Sequence, residues 1–264
     1  MALALPRLVA AALPSPRFIT VWQRHRDVFR HLWVNQALLP IVEPIITLLV
    51  LGFGLGQFVD LGNGQDYIAF IAPGMMAAFP MWQAVFVCSW GAWIRMETQQ
   101  SYQSMIATPL EPEDVAAGEI AWGTTMSLIS TFYVLIMIAA LGLVHSPLVL
   151  LMPPVAVMHG VLLASMALAY TASIKTASAM EYFFTIGVIP MFWFGDIFFP
   201  RDRLPEGLQV AGWFVPTSHT VAIYRGLLSG NAGPSLFGHF LWLLVVGTAL
   251  FLLALHRVRR RLIR

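Results

Sequence analysis

Cysteine occurs once in the 264 residues, at Cys88, and lysine once, at Lys175. A single cysteine excludes an internal disulfide and any paired-cysteine metal site. A single lysine leaves Lys175-Thr176 as the only possible end of a Walker A loop. No glycine stands in the preceding Tyr-Thr-Ala-Ser-Ile to let backbone amides cradle phosphate. ATP binding by that route is excluded. No HExxH occurs and the histidines are scattered, so no metal centre is expected. Charge is the other shortage: 11% of residues are charged, against about 25% in a soluble domain. What fills the space is apolar, with 58% hydrophobic residues and a mean hydropathy of +0.75. The fold class is therefore an all-α polytopic membrane protein, a single membrane domain over residues 1–264.

The net charge of +2 matters less than its placement. Arg7, Arg17, Arg24, Arg26 and Arg30 stand in front, and Arg257, Arg259, Arg260, Arg261 and Arg264 behind. Positive residues stay on the cytoplasmic side, which predicts both termini there. Because both clusters flank hydrophobic segments, they suit anionic lipid headgroups rather than nucleic acid. The first residues lack a basic n-region and are interrupted by Pro6, Pro14 and Pro16, so no cleaved signal peptide is expected. Over residues 17–33, Phe18, Val21, Trp22, Phe29, Leu32 and Trp33 recur at helical spacing. That pattern predicts an amphipathic interface helix, with a plain extension of the first span as the alternative.

A span needs about 20 mostly apolar residues. Six are expected: 35–58, 67–94, 115–144, 148–172, 182–199 and 236–255. The connections DLGNGQD and His145-Ser146-Pro147 carry no basic residue, as outer loops should. A proline-marked elbow, Phe199 to Pro205, ends the fifth span. The half-apolar stretch that follows reads as re-entrant or short outer helices over 200–230, tolerated at membrane depth only where protein or water meets the freed backbone. Counting 207–224 as a seventh span would put the arginine-rich C-terminus outside, the worse violation.

Few residues invite chemistry. Asp196, Ser218 and His219 suggest an intramembrane hydrolase, but no glycine-flanked serine elbow surrounds Ser218. The expected role of Ser218 and His219 is to satisfy backbone groups where the chain bends back after Pro216. Intramembrane charge is limited to Glu43 and Asp196, fewer than an ion-coupled carrier usually shows. Glu43 reads either as a satisfied structural carboxylate or as a substrate contact. Residues 95–114 form a polar loop, helix-compatible up to Ala107, where Tyr102, Met105 and Ile106 make a small apolar face. It reads as a force-transmitting coupling helix or as an ordinary connector. Trp82, Phe86, Phe192 and Trp193 read as a translocation lining or as interfacial anchors.

Ordered motifs then carry a resemblance. They are Glu43-Pro44 with Gly52-Phe53-Gly54-Leu55-Gly56, Tyr67 with Phe70 to Met75, Arg95-Met96-Glu97, Thr108-Pro109-Leu110 and Gly118 to Trp122. Phe198-Phe199-Pro200, Leu204-Pro205, Pro216 with Ser218-His219, and Arg225-Gly226-Leu227 with Gly230 complete the set. In order and spacing the chain resembles the type-2 ABC exporter permeases, in the branch of nodulation-factor exporters with drug-resistance and polysaccharide-export relatives. Thr98 stands where such relatives often have glycine. The resemblance implies a homodimer in the bacterial plasma membrane, driven by two copies of a separate cytoplasmic ATPase that binds Mg-ATP, with no cofactor in this chain. It implies coupling to that ATPase through Arg95, Glu97, Tyr102, Met105, Thr108, Pro109 and Glu119. The translocation path would include Glu43, Trp82, Phe86, Phe192 and Trp193. An outer gate would be built from Asp196, Phe198, Phe199, Pro200, Leu204, Pro205, Pro216, His219 and Arg225. Substrates would be amphipathic: lipid-linked glycans, lipo-oligosaccharides or hydrophobic drugs. On this reading, Asp at Tyr102 and Met105 uncouples transport without unfolding the protein. A stand-alone secondary carrier is the rival.

Overall fold

A computed structural model describes residues 13–62, 64–231 and 233–263, with the side chains of 35–39 left out. The expectation about signal cleavage rests mainly on residues 1–12, which lie outside that range, as do Arg7 and Arg264. Among the described residues every regular element is helical.

Helix α1, Phe18–Leu49, runs on through a π-helical turn, Val50–Leu55, and a 3₁₀ turn, Gly56–Phe58. No break separates an interface helix from the first span, because neither glycine nor proline lies between Phe18 and Leu39. Pro40 and Pro44 are absorbed within the helix. Helix α2, Tyr67–Phe86, continues through π turns at Val87–Gly91 and Ile94–Thr98. The short α3, Ser101–Ile106, follows a left-handed Gln100 at φ 49°. It is therefore shorter than the expected helix to Ala107, and the residues before Gln99 belong to the second span.

Helix α4, Pro112–Ala140, begins where chemistry favours it. Proline occupies its first turn, and Glu111 and Asp114 form a reciprocal capping box. The Asp114 carboxylate also accepts bonds from the Ser15 amide and hydroxyl at 2.6 and 3.0 Å, fastening the start of α1 to the start of α4. Helix α5, Met152–Thr171, is entered by a 3₁₀ turn at Pro147–Leu151. Next come α6, Ala179–Tyr182, a π turn, Phe183–Val188, and α7, Ile189–Phe194. After the elbow stand α8, Glu206–Trp213, and α9, Pro216–Ser229, then α10, Ser235–Leu262.

Five of these stretches are long and apolar enough to cross a membrane: Pro40–Phe58, Tyr67–Thr98, Pro112–Ala140, Pro147–Thr171 and Ser235–Leu262. The apolar stretch Ala179–Phe194 is shorter, about 24 Å at 1.5 Å per residue. Helices α8 and α9 are about 12 and 21 Å by the same rise, short of a hydrocarbon core of about 30 Å. A seventh span over 207–224 is not formed.

The core lies where α2 is enclosed by α4, α5 and α9; Ile71, Met75, Met76, Met81 and Ala84 are fully buried there. Small residues bring the helices close. A Cβ on Gly118 would meet Val21 Cβ at 2.5 Å and the Phe18 carbonyl at 2.9 Å, so only glycine admits α1 against α4.

Candidate functional site

The candidate residues gather in two clusters at opposite ends of the bundle. One gathers the start of α1, α3, the start of α4 and the ends of α5 and α10. Its centre is Glu119 of α4, fully buried. Its two oxygens receive Arg95 Nη2 at 2.6 Å and Nε at 2.9 Å, and His25 Nε2 lies 2.9 Å from Oε1. Arg95 also donates to the Val87 carbonyl at 2.9 Å, an oxygen that accepts the Ala92 amide in the π turn there as well. His25 stacks on Trp122 at 5.8 Å. The motif from Gly118 to Trp122 is thus the seat on which α1 and α2 rest.

Glu97 is exposed and pairs with Arg261 of α10 at 2.7 Å. Arg261 also donates to the carbonyls of Thr171 and Ile174 at the end of α5 and lies 5.3 Å over the Trp93 ring. Arg259 pairs with the buried Glu113. The Pro109 carbonyl accepts from Arg17, and Thr108 closes α3 by bonding the Met105 carbonyl at 2.6 Å. Tyr102 and Met105 correct the expectation. Their apolar face points inward, into a small core with Val21, Met96 and Val115. Burial of Tyr102 pushes its phenol well above the ordinary tyrosine range. Periodicity showed that an apolar face exists, and the chain itself covers it. What faces outward is Glu97, Gln99, Gln103, Ser104, Thr108 and Pro109.

The other end holds the elbow. The helix stops at Phe194, before the expected 199, because Gly195 and Asp196 end it; Asp196 takes the left-handed φ of 59°. A Cβ on Gly195 would lie 2.6 Å from the Met191 carbonyl, so this turn requires glycine. Arg225 donates to the Asp196 carbonyl, and Arg201 pairs with the Asp196 carboxylate at 2.8 Å. Burial pushes the Asp196 carboxyl upward, and Arg201 opposes that. Phe198 is buried, and its carbonyl accepts from Tyr67 at 3.3 Å. Arg225 stands 4.2 Å over the Phe70 ring. Gly74 packs so closely that a Cβ would meet Ile197 Cα at 2.8 Å. Phe199 is exposed; Pro200 and Pro205 flank the 3₁₀ turn Arg201–Arg203, and Leu204 accepts from Gln209. Pro216 opens α9.

Ser218 donates to the Gly212 carbonyl at 2.7 Å, and His219 Nε2 to the Trp213 carbonyl at 2.7 Å. His219 Nδ1 then faces His239 Nδ1 at 2.8 Å, while its ring stacks on Trp242 at 4.1 Å. Neither nitrogen of His219 reaches Ser218, and Asp196 pairs elsewhere. No hydrolase relay forms.

Between the two ends, Trp82, Phe86, Phe192 and Trp193 join a continuous aromatic series. Trp82 lies 5.7 Å from Phe86 and 5.9 Å from Phe192; Trp193 lies 5.0 Å from Phe198. Phe184, absent from the sequence reading, stacks on Trp82 at 6.0 Å and 8°. Phe86 and Trp193 are about half exposed. Glu43 sits on the exposed face of α1, without an ionic or hydrogen-bond partner among the described residues. Sequence reasoning also missed His159, fully buried on α5, which bonds the Ala77 carbonyl of α2 at 3.1 Å and Thr220 of α9 at 2.8 Å. An isolated histidine in an apolar run gives no sign of its partners.

Comparison with known proteins agrees with this architecture. Residues 16–228 match the family model described as ABC-2 type transporter. The chain is 31% identical to Nodulation protein J of Rhizobium leguminosarum bv. trifolii, covering 96% of this chain and 97% of that one. It is 30% identical to the same-named protein of R. leguminosarum bv. viciae, over 96% and 99%. It is 21% identical to the inner membrane transport permease YadH of Escherichia coli, over 81% and 84%. With apolar spanning helices, a loop helix tied to four helix ends and an elbow closed by short helices, this chain belongs to the ABC-2 type transporter family and is a multi-pass membrane permease.

Proposed function

We propose that the chain is the membrane subunit of an ATP-driven exporter, working as a homodimer with two copies of a separate ATPase in the bacterial inner membrane. Both termini, α3 and the arginine-rich end of α10 lie in the cytoplasm. Ala179–Phe194 completes a sixth, short crossing, so that α8 and α9 sit in the outer half of the membrane. The exported molecule is amphipathic, a lipid-linked glycan, lipo-oligosaccharide or hydrophobic drug, and Mg-ATP is bound by the partner.

One observation carries the reading. The loop helix is packed against α1 and α4 through Tyr102 and Met105, and the end of α2 just before it is tied to α10 through Glu97 and Arg261, while the polar face of α3 stays open. A push on Gln103, Ser104 and Thr108 therefore moves the starts of α1 and α4 and the end of α10 together. At the far end that motion reaches Phe198, held by Tyr67 at the start of α2, and opens the outer gate. The half-exposed aromatic series from Phe86 to Trp193 offers ring faces to a sugar or an aromatic drug on the way.

A secondary carrier has one observation in its favour, the unpartnered Glu43 on a spanning helix. Purification of the tagged chain from mild detergent separates the two. An ATPase that co-purifies at about equal stoichiometry and turns over ATP supports the exporter. A partner-free protein whose transport follows a proton gradient and is abolished by Glu43→Gln overturns it.

A further inference from the structure

A cavity of about 320 Å³ opens between the end of α5 and the last turns of α10, lined by Ala172, Ser173, Ile174, Lys175, Arg257, Arg260 and Arg261. Four of its seven lining residues are cationic, and no carboxylate lines it. Arg261 is occupied with Glu97 and the carbonyls of Thr171 and Ile174. The side chains of Lys175, Arg257 and Arg260 have no partner among the described residues. Three like charges around one hollow repel each other, and among the described residues no carboxylate lines the hollow to offset them. From this geometry we infer that the cavity is a discrete binding site for the phosphate-bearing headgroup of an anionic phospholipid.

The surroundings favour a lipid over a free phosphate. The site lies where two spanning helices end, the depth at which headgroups meet a membrane protein. Trp93, under Arg261, marks the same interface. Ala249, Leu253, Arg257 and Arg260 follow at i, i+4, i+8 and i+11 of α10, all exposed. Their shared face gives an apolar track for an acyl chain that leads directly into the cationic hollow. Arg261 stiffens one wall without being consumed, since its own bonds are made inside the protein. Because that residue also grips Glu97, an occupied site would reinforce the joint between α10 and the loop before α3. The inference rests on the membrane-embedded helices, so failure of the export reading would leave it standing.

The full chain is reconstituted in phosphatidylcholine nanodiscs containing a minor fraction of cardiolipin, and retained lipid is counted by native mass spectrometry. The variant K175Q/R257Q/R260Q is compared with R24Q/R26Q/R30Q, which removes the same charge from α1. The wild type and the α1 variant are expected to keep a discrete cardiolipin adduct. The cavity variant is expected to bind it roughly a hundredfold more weakly, with an unchanged melting temperature in lipid-free detergent. Equal loss in both variants would mean diffuse attraction and would overturn the site. So would stabilisation of the lipid-free protein by inorganic pyrophosphate as strong as that by cardiolipin. Unchanged lipid retention, with loss of a co-purifying ATPase instead, would reassign the cations to a protein partner.

Discussion

Arg95 of α2 holds Glu119 of α4 through two nitrogens, at 2.6 and 2.9 Å, with both groups withdrawn from solvent. A planar guanidinium suits this pairing where a lysine would not, because Arg95 uses a further donor direction on the Val87 carbonyl. Removing one partner from such a buried pair strands the other charge. Glu119→Ala is expected to destabilise the protein by about 3–5 kcal/mol, read as a lowered thermal midpoint in detergent. R95M/E119L should recover much of the loss, and a double variant as unstable as the single one would refute the stranded-charge argument.

Tyr102 and Met105 make a different prediction from the one their spacing suggests. Tyr102→Asp places an unpaired carboxylate in the core formed with Val21, Met96 and Val115. A loss of several kcal/mol is expected, visible as proteolysis of the loop and poor expression. Gln103→Asp and Ser104→Asp, on the open face, should leave melting unchanged and weaken the proposed ATPase contact. Normal stability of Tyr102→Asp would show that this face is not packed.

Gly74 sets how closely the elbow approaches α2. Gly74→Ala drives a methyl against Ile197, with the new carbon 2.8 Å from a backbone atom that cannot rotate away. A cost of about 1–3 kcal/mol is expected, with increased cysteine-label accessibility at position 197 in an I197C background. Gly54→Ala, which meets nothing within 4 Å, is the silent control.

His219 ties α9 to its neighbours at the elbow end, through Nε2 to the Trp213 carbonyl and through Nδ1 facing His239 of α10 at 2.8 Å. His219→Asn is expected to cost about 1–2 kcal/mol, read as a lowered thermal midpoint in detergent. An unchanged midpoint would remove His219 as a tie between the two helices.

The membrane class and the positions of the long helices were legible because apolar runs and charge scarcity are properties of the chain itself. Partnership was less so. Arg95-Met96-Glu97 and Gly118 to Trp122 stood out as separate motifs, and only folding makes one the counter-ion of the other. The direction of the Tyr102 and Met105 face was hidden, since helical spacing says that two side chains share a side without saying what lies opposite. The elbow was placed at its prolines, whereas Gly195 and Asp196 end the helix earlier by adopting a turn that the mixed apolar composition around them concealed. Phe184 and His159 were invisible for a related reason: each acts through contacts with residues 102 or 82 and 61 positions away.

Ser15 meets the Asp114 carboxylate across a separation of 99 residues. A ribosome adding about 5–20 residues per second exposes the amino-terminal residue roughly 5–20 s before its anchor exists. Until α4 has been made and inserted, the start of α1 has no fixed seat, and His25 has no Glu119 to approach. Helix α1 is therefore synthesised before its seat exists, which leaves an interval in biosynthesis when a second chain or an insertion factor can reach it.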